Sequence, residues 1–276
     1  MNTHLIDNYP GLMDALAGEM IPKFLATCSV DGIPNIVPCT SLTSAGDEDD
    51  RLIFGNFLLR KSVNNLNQNP KVGVMVITPD LEGWILQGDF GEWQQTGPYA
   101  DYLNNSDLLR YNAYTGIRNA GVIQVRKVIR HFRISKQRVL ADYLLARACS
   151  SSKEKGSSIG GVVLPPVVGK NFSLLMAVRI LTFLDSDGYP LVIPTLSLQP
   201  SGEDKLVCAL GSFGDILELL DSGSPVAASL LTFDAVSFQV KGRWLESRKI
   251  LGAPVGFMSV TSVYAGGPPI PGRQVA

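Results

Sequence analysis

The chain has 276 residues, of which 45% are apolar and 18% charged, and its formal net charge is −1 at pH 7. That length suits about two domains with buried cores, while the near-zero charge offers no field for nucleic acid or an anionic membrane. No apolar run reaches the roughly 18 residues that span a bilayer, and two histidines with four scattered cysteines make a metal site unexpected.

Residues 10–21 carry Leu12, Met13, Leu16 and Met20 at helical spacing and predict an amphipathic helix. No basic region followed by an apolar stretch precedes it, so no signal peptide is expected. Cys28, Cys39, Cys149 and Cys208 form no C-x-x-C pair and read as reduced, structural thiols of a cytoplasmic protein. Residues 24–30 and 34–42 read as two strands joined at Asp31-Gly32, where the glycine supplies the positive φ of a hairpin turn. Residues 45–51 form an acidic, exposed loop.

The stretch 52–72 is the organising element of the first half. It opens as a strand (Leu52, Ile53, Phe54), passes Gly55 and Asn56, and presents Arg60 and Lys61 directly before Ser62. Ser62 reads as the N-cap of a short helix over 63–67, which Asn69-Pro70 ends. Two cations, a hydroxyl and free N–H groups then converge on one point, which suits a phosphate. A solvated surface pair beside an ordinary cap is the other reading of the same residues.

Strand 72–78 and a turn at 79–83 come next. Strand 84–93 is the next element, with Gly88 and Gly91 as bulge sites. Residues 97–117 are helical with a break at Asn104, and carry Tyr99, Tyr102, Tyr111 and Tyr114. Such a stripe reads first as packing. Strand 122–134 is basic on one face (Arg126, Lys127, Arg130, His131, Arg133), and 136–149 is a helix with Val139, Leu140, Tyr143 and Leu144 inward. The polar run 150–158 reads as a linker between domains 1–150 and 151–276.

After that linker the pattern starts again. MIPKFLATCSVDGIPNIVPCTSL from Met20 and MAVRILTFLDSDGYPLVIPTLSL from Met176 keep the Met, the basic residue, the apolar strand, Asp-Gly and both prolines at one offset. Strand 84–88 is matched by 236–242, and 121–128 by 256–263. This reads as a tandem duplication of a β-rich unit of five or six strands, each a small closed or split antiparallel barrel. The copies differ at one place. Gly214, Asp215 and Ile216 stand where the first copy has Arg60, Lys61 and Ser62, so an anion site is expected in the first copy alone.

Spaced groups in the first half also carry a family pattern. They are Phe24-Leu25-Ala26-Thr27, Asp31-Gly32-x-Pro34-Asn35-x-Val37-Pro38, Leu52-Ile53-Phe54-Gly55-Asn56-Phe57, Lys61-Ser62-x-x-Asn65-Leu66-x-x-Asn69-Pro70-x-Val72, and Gln87-Gly88. On these residues the stretch 20–134 resembles the FMN-binding split barrels of the pyridoxamine 5′-phosphate oxidase-like superfamily, and 176–265 resembles a degenerate version of it. The resemblance implies a mainly β fold with peripheral helices (α+β), built of two tandem split β-barrels. It implies that Lys61 and Ser62 hold the FMN phosphate with Arg60 assisting. It further implies that Val37, Pro38, Cys39, Thr40 and Ser41 run along the isoalloxazine, and that Asn56, Phe57 and Gln87 belong to the same cofactor site. For Cys39, a small strand filler is the ordinary reading. The tyrosine stretch would then be packing, or a wall over the flavin.

In the family, a second barrel across a dimer interface finishes the site. A homodimer is expected here, with an intramolecular pairing through residues 159–276 as the alternative. The substrate-phosphate arginines and histidine of true pyridoxamine-phosphate oxidases are not found; the tail has Arg273 and no histidine. The expected function is therefore an FMN-dependent oxidoreductase with an unassigned small-molecule substrate or redox partner, and no catalytic acid or base is named. The alternative is a non-catalytic flavin, haem or deazaflavin binder or electron carrier. Haem would need an axial ligand, and His4 and His131 are the only histidines.

Overall fold

The computed structural model of the chain describes residues 5–46, 50–57, 59–106, 116–150, 161–209, 211–250, 252–267 and 270–276. Within them the chain is mainly β with helices at the periphery. The first sheet contains β1 (Lys23–Cys28), β2 (Pro34–Pro38), β3 (Thr43–Ser44), β4 (Arg51–Gly55), β5 (Lys71–Ile77), β6 (Glu82–Gln94) and β7 (Ala120–Arg133), in the order β2-β1-β5-β6-β7-β4-β3. The second contains β8 (Val178–Leu184), β9 (Pro190–Pro194), β10 (Gln199–Pro200), β11 (Lys205–Ala209), β12 (Pro225–Leu231), β13 (Ser237–Ile250) and β14 (Ala253–Ala265), in the order β9-β8-β12-β13-β14-β11-β10. Strand for strand this is the same topology, antiparallel throughout. Each sheet has seven strands rather than five or six, because a two-residue strand adds to one edge. Neither sheet closes into a barrel.

Period-2 alternation divides the first sheet between two cores. Leu25, Val74, Val76, Trp84 and Leu86 face a core inside the first half. Phe24, Ala26, Met75, Ile77 and Ile85 face the other way, into a core shared with Phe183, Val192, Ala228 and Leu230 of the second half. Both faces are buried, so β1 and β5 read as nearly continuous apolar runs. The two halves meet reciprocally. Edge strand β2 packs on β8, β12 and β13, and its counterpart β9 packs on β1, β5 and β6. The Gln239 amide donates to the Ile36 carbonyl in β2, and the Gln87 amide donates to the Pro190 carbonyl in β9.

The helices are α1 (Leu12–Ala17), α2 (Arg60–Leu66), α3 (Pro98–Asn105), α4 (Lys136–Ser150), α5 (Pro166–Phe172) and α6 (Gly214–Leu217). None is long and apolar enough to cross a membrane. α1 is shorter than the 10–21 expected. Gly11 before it has φ 80°, Gly18 leaves the helix, and Met13 and Met20 are exposed while Leu12, Ala15 and Leu16 are buried. β1 begins at Lys23 and stops at Cys28, and β2 stops at Pro38, where a turn replaces the strand expected to reach Leu42. The register shifts expected at Gly88 and Gly91 are present, between Gln87 and Gly88 and between Phe90 and Glu92. Half of the face expected of α4 turns inward: Val139 packs on the shared core and the half-buried Tyr143 donates its hydroxyl to the Ser173 carbonyl at 2.8 Å. Leu140 and Leu144 are exposed, and Ala146 and Cys149 are buried, because the helix lies on β10 and β11 of the second sheet. The centre of the acidic loop (47–49), residues 107–115 with Tyr111 and Tyr114, and the linker at 151–160 lie outside the described residues.

A candidate anion site between the two halves

The basic stretch does form a helix, α2, but Ser62 is not its cap. The helix starts at Arg60, Leu59 holds the cap position with no side-chain bond, and Ser62 is the third helical residue. The Ser62 hydroxyl is buried and accepts a hydrogen bond from Asn35 Nδ2 on β2 at 3.1 Å. One turn on, Asn65 Nδ2 donates to Thr27 Oγ1 on β1 at 3.0 Å. These two bonds seat α2 across the β1–β2 hairpin. The basic pair at its start is thereby turned toward the second half.

There the two halves enclose a cavity of about 40 Å³. By this measure one water takes roughly 10–15 Å³, so the space suits a phosphate group and is too small for a flavin ring. The first half lines it with Asn35, Val37, Pro38, Arg60, Lys61 and Ser62, and the second with Ser229, Ser237, Gln239 and Tyr264. The hydroxyls of Ser229 and Ser237 are buried and have no hydrogen-bond partner among the described residues. Buried hydroxyls are nearly always paired, so these two are available to a polar occupant of the cavity they line. Gly266 also lines it, and a Cβ there would overlap the Ser237 hydroxyl.

The Lys61 ammonium lies 3.0 Å from the centroid of the Tyr264 ring, and Lys241 of β13 lies 6.0 Å from the same centroid. Neither lysine has an ion-pair partner among the described residues. Burial, aided by repulsion from Lys61, pulls the Lys241 ammonium down to about 8. Among the described residues that line the cavity, an anion would meet cations and hydroxyls and no carboxylate.

The remaining expected site residues lie outside the cavity. Cys39 is buried beyond the end of β2, where burial raises its thiol to about 11, and Ser41 Oγ accepts from Gly55 N at 3.0 Å. Thr40 is exposed, and its carbonyl takes the buried Lys23 ammonium at 3.5 Å. Asn56 bonds Asn119 side chain to side chain at 2.9 Å, and Phe57 follows it, half-buried. Gln87 is buried against the other half, where its amide donates to Asp185 Oδ2 at 2.9 Å. The matching strand position in the second half is Lys241: Gln87 pairs with Gly73 as Lys241 pairs with Ala227. The residue that approaches Lys61 is thus the second-half counterpart of the one expected.

At the corresponding place in the second half, Asp215 of α6 accepts two hydrogen bonds from Arg130 of β7, at 2.7 and 3.1 Å. That bond holds the Asp215 carboxyl below its usual range. α4 brings Asp142 so close to Gly211 that a Cβ there would overlap its carboxylate. A cavity of about 20 Å³, half the size of the first, remains here and is lined by Asp142, Thr195, Ser197 and Gly211 among others. His131 is exposed on β7, bonded to Glu82 at 2.7 Å and stacked on Trp84 with ring centroids 5.1 Å apart. The Tyr99 hydroxyl accepts from Arg51 at 3.2 Å, while Tyr102 is exposed. All four cysteines are free and buried. No group of three or more His, Cys, Asp or Glu side chains suited to a metal occurs among the described residues.

No family model and no curated protein matches the chain. Solved structures do. An FMN-binding protein from Syntrophomonas wolfei is 21% identical with a TM-score of 0.39, over 48% of this chain and 88% of that one. An F420 reductase is 22% identical with a TM-score of 0.33, over 45% and 98%. HutZ, the haem storage protein from Vibrio cholerae, is 12% identical with a TM-score of 0.34, over 48% and 95%. A protein from Lactobacillus delbrueckii described as a pyridoxamine 5′-phosphate oxidase is 17% identical with a TM-score of 0.37, over 47% of this chain and 98% of that one.

Proposed function

We propose that the chain binds one FMN non-covalently through its phosphate, in the cavity between its halves, and serves as an oxidoreductase on a small molecule or a redox partner. The observation that carries this reading is the donor set. Arg60, Lys61 and Ser62 of α2 face two buried, unpartnered hydroxyls, Ser229 and Ser237, across a phosphate-sized space. Lys61 and Arg60 neutralise the dianion, and Ser62, oriented by Asn35, has its hydroxyl hydrogen free to donate. The flavin ring then has to lie outside this cavity. Bound FMN supplies the redox chemistry, accepting hydride at N5.

In the same reading the two sheets are a tandem duplication, with domains 1–150 and 151–276. The second half acts as the partner barrel, so that a homodimer is not needed to complete the cavity. Four buried free thiols fit a cytoplasmic protein. The test is the absorption spectrum of the purified protein, followed by chromatography of the cofactor released on denaturation. Flavin bands and FMN are expected. A Soret band, FAD, or no flavin after reconstitution with FMN overturns the proposal. For haem, His131 would have to leave both Glu82 and the Trp84 ring.

A further inference from the structure

We propose that the first half carries a second binding site, on the outer face of its sheet, for a small zwitterion of dipeptide size with an ammonium at one end and a carboxylate at the other. Arg51 takes the carboxylate. Glu92 and the side-chain oxygen of Gln94 take the ammonium. The site shares no residue with the anion cavity, and its occupancy does not depend on flavin.

Strand register builds the site. β7 lies between β6 and β4, and the cross-strand pairs Gln94–Ala120, Glu92–Val122 and Arg51–Gln124 share one face of the sheet. The register shift between Phe90 and Glu92 brings Glu92 and Gln94 to that face; without it Trp93 would stand there and both would point away. α3 covers the apolar part of the face through Ala100 and Leu103, which pack with Ile53, Ala120 and Val122. Beside it a cleft of about 460 Å³ stays open, lined by Arg51, Glu92, Gln94, Tyr99 and Gln124 among others. That volume is ordinary for a small-molecule site.

The chemistry of the cleft selects the ligand. Arg51 Nη1 donates to the Tyr99 hydroxyl at 3.2 Å, which anchors one corner of the guanidinium and presents its fork, a shape that matches a carboxylate. Gln94 Nε2 donates to Glu92 Oε1 at 2.8 Å, while Gln94 Oε1 is buried with no hydrogen-bond partner among the described residues. A buried acceptor beside a carboxylate calls for a donor, and an ammonium brings three. The other carboxylate next to Gln124, that of Asp89, is held by Arg126 and by the Tyr189 hydroxyl. Arg51 and Glu92 stand two strands and two residues apart, on the order of 12 Å between Cα atoms at ordinary sheet spacing. Their side chains can lean inward, but the gap suits charges set further apart than those of an α-amino acid.

Calorimetric titration of the wild-type chain, Glu92→Gln and Arg51→Gln tests this. The probes are glycylglycine, its N-acetyl form and its C-terminal amide. Glycylglycine should bind wild type, and capping either end should weaken it about tenfold, as loss of a charge-assisted contact does. In Glu92→Gln the N-acetyl form should bind as well as glycylglycine, while the amide stays disfavoured. Arg51→Gln should show the converse. Glu92 is exposed and bonds Gln94 on the same strand, so Glu92→Gln should fold, and it decides the matter if Arg51→Gln does not. No binding of glycylglycine to wild type, or equal affinity for all three probes, overturns the site whatever the chain does with flavin. A preference for the free ammonium that survives in Glu92→Gln overturns it as well.

Discussion

Among the described residues Lys61 touches a ring and no anion, so its removal separates two roles. Lys61→Ala should weaken FMN by about 1.5–3 kcal/mol, the usual worth of a hydrogen bond to a charged group. It should leave riboflavin nearly unchanged and cost the fold no more than the cation–π contact with Tyr264, about 1 kcal/mol. Equal weakening of both ligands would mean that Lys61 acts by supporting the Tyr264 ring. Lys241 adds a pH dependence whose sign is set by its position. Its ammonium is pulled down to about 8 from an ordinary 10.5, first by burial and then by Lys61. Between those values the unfolded chain holds the proton and the folded chain does not. The penalty on folding is therefore complete below pH 8 and disappears as pH rises toward 10.5. Stability should accordingly rise with pH between about 8 and 10.5. Denaturant melts of wild type and Lys241→Met check this: the variant should lack the rise, and an equal rise in both would mean that Lys241 is not its source. Arg60 and Lys61 were legible in the sequence as a basic pair before a hydroxyl. Ser229 and Ser237 were not, since a serine in a strand carries no pattern until the opposite half of the chain is placed against it.

At the scale of elements, the hairpins were legible wherever one chemistry decided them. Gly32, at φ 73°, makes the turn expected of Asp31-Gly32, and the Gly88 and Gly91 irregularities fall where two glycines interrupt an apolar strand. The errors have two causes. Local turns, Ser29–Ile33 and Cys39–Leu42, end β1 and β2, while the buried residues of α4 are set by β10 and β11 of the second sheet, far away in sequence. Lys241 was legible only by proxy, as the second-copy counterpart of Gln87. The residue named from the first copy points into the second half, while the second-copy residue points at the first. The same reciprocal contact gives a stability prediction. A Cβ on Gly73 of β5 would overlap the Pro190 carbonyl of β9 and crowd Val192. Neither backbone is free to move, since both strands are paired and buried. Gly73→Ala should therefore cost about 1–3 kcal/mol, as overpacking does. Gly91→Ala, whose Cβ would meet nothing nearer than the Val122 carbonyl at 3.8 Å, should stay within about 0.5 kcal/mol. Denaturant melts of the two variants check this. Equal midpoints would mean that β5 and β9 are not in this contact in solution.

At the scale of the molecule, two sheets of one topology meet about reciprocal edges, as two subunits of a symmetric dimer would. Such symmetry by itself would give two cofactor sites. The side chains break it. At one position the chain places Arg60, Lys61 and Ser62 around a cavity that Ser229 and Ser237 also line. At the other it places Asp215, already neutralised by Arg130, with Asp142 packed against Gly211. An anion entering the second position would have to displace Arg130 from a two-point ion pair and then sit beside two carboxylates. That pair is half-exposed and contributes at most about 1 kcal/mol to the fold. The two carboxylates, with Arg130 already committed to one of them, are therefore expected to keep an anion out. The chain should bind one equivalent of FMN, and Arg130→Ala should leave that count at one while lowering stability only slightly. Titration of the apoprotein, with flavin and protein measured independently, reads the stoichiometry for both forms. Two equivalents in wild type would mean that Asp215 and Asp142 do not guard the second position. A second equivalent appearing only in Arg130→Ala would mean that the arginine, and not the carboxylates, had kept the anion out.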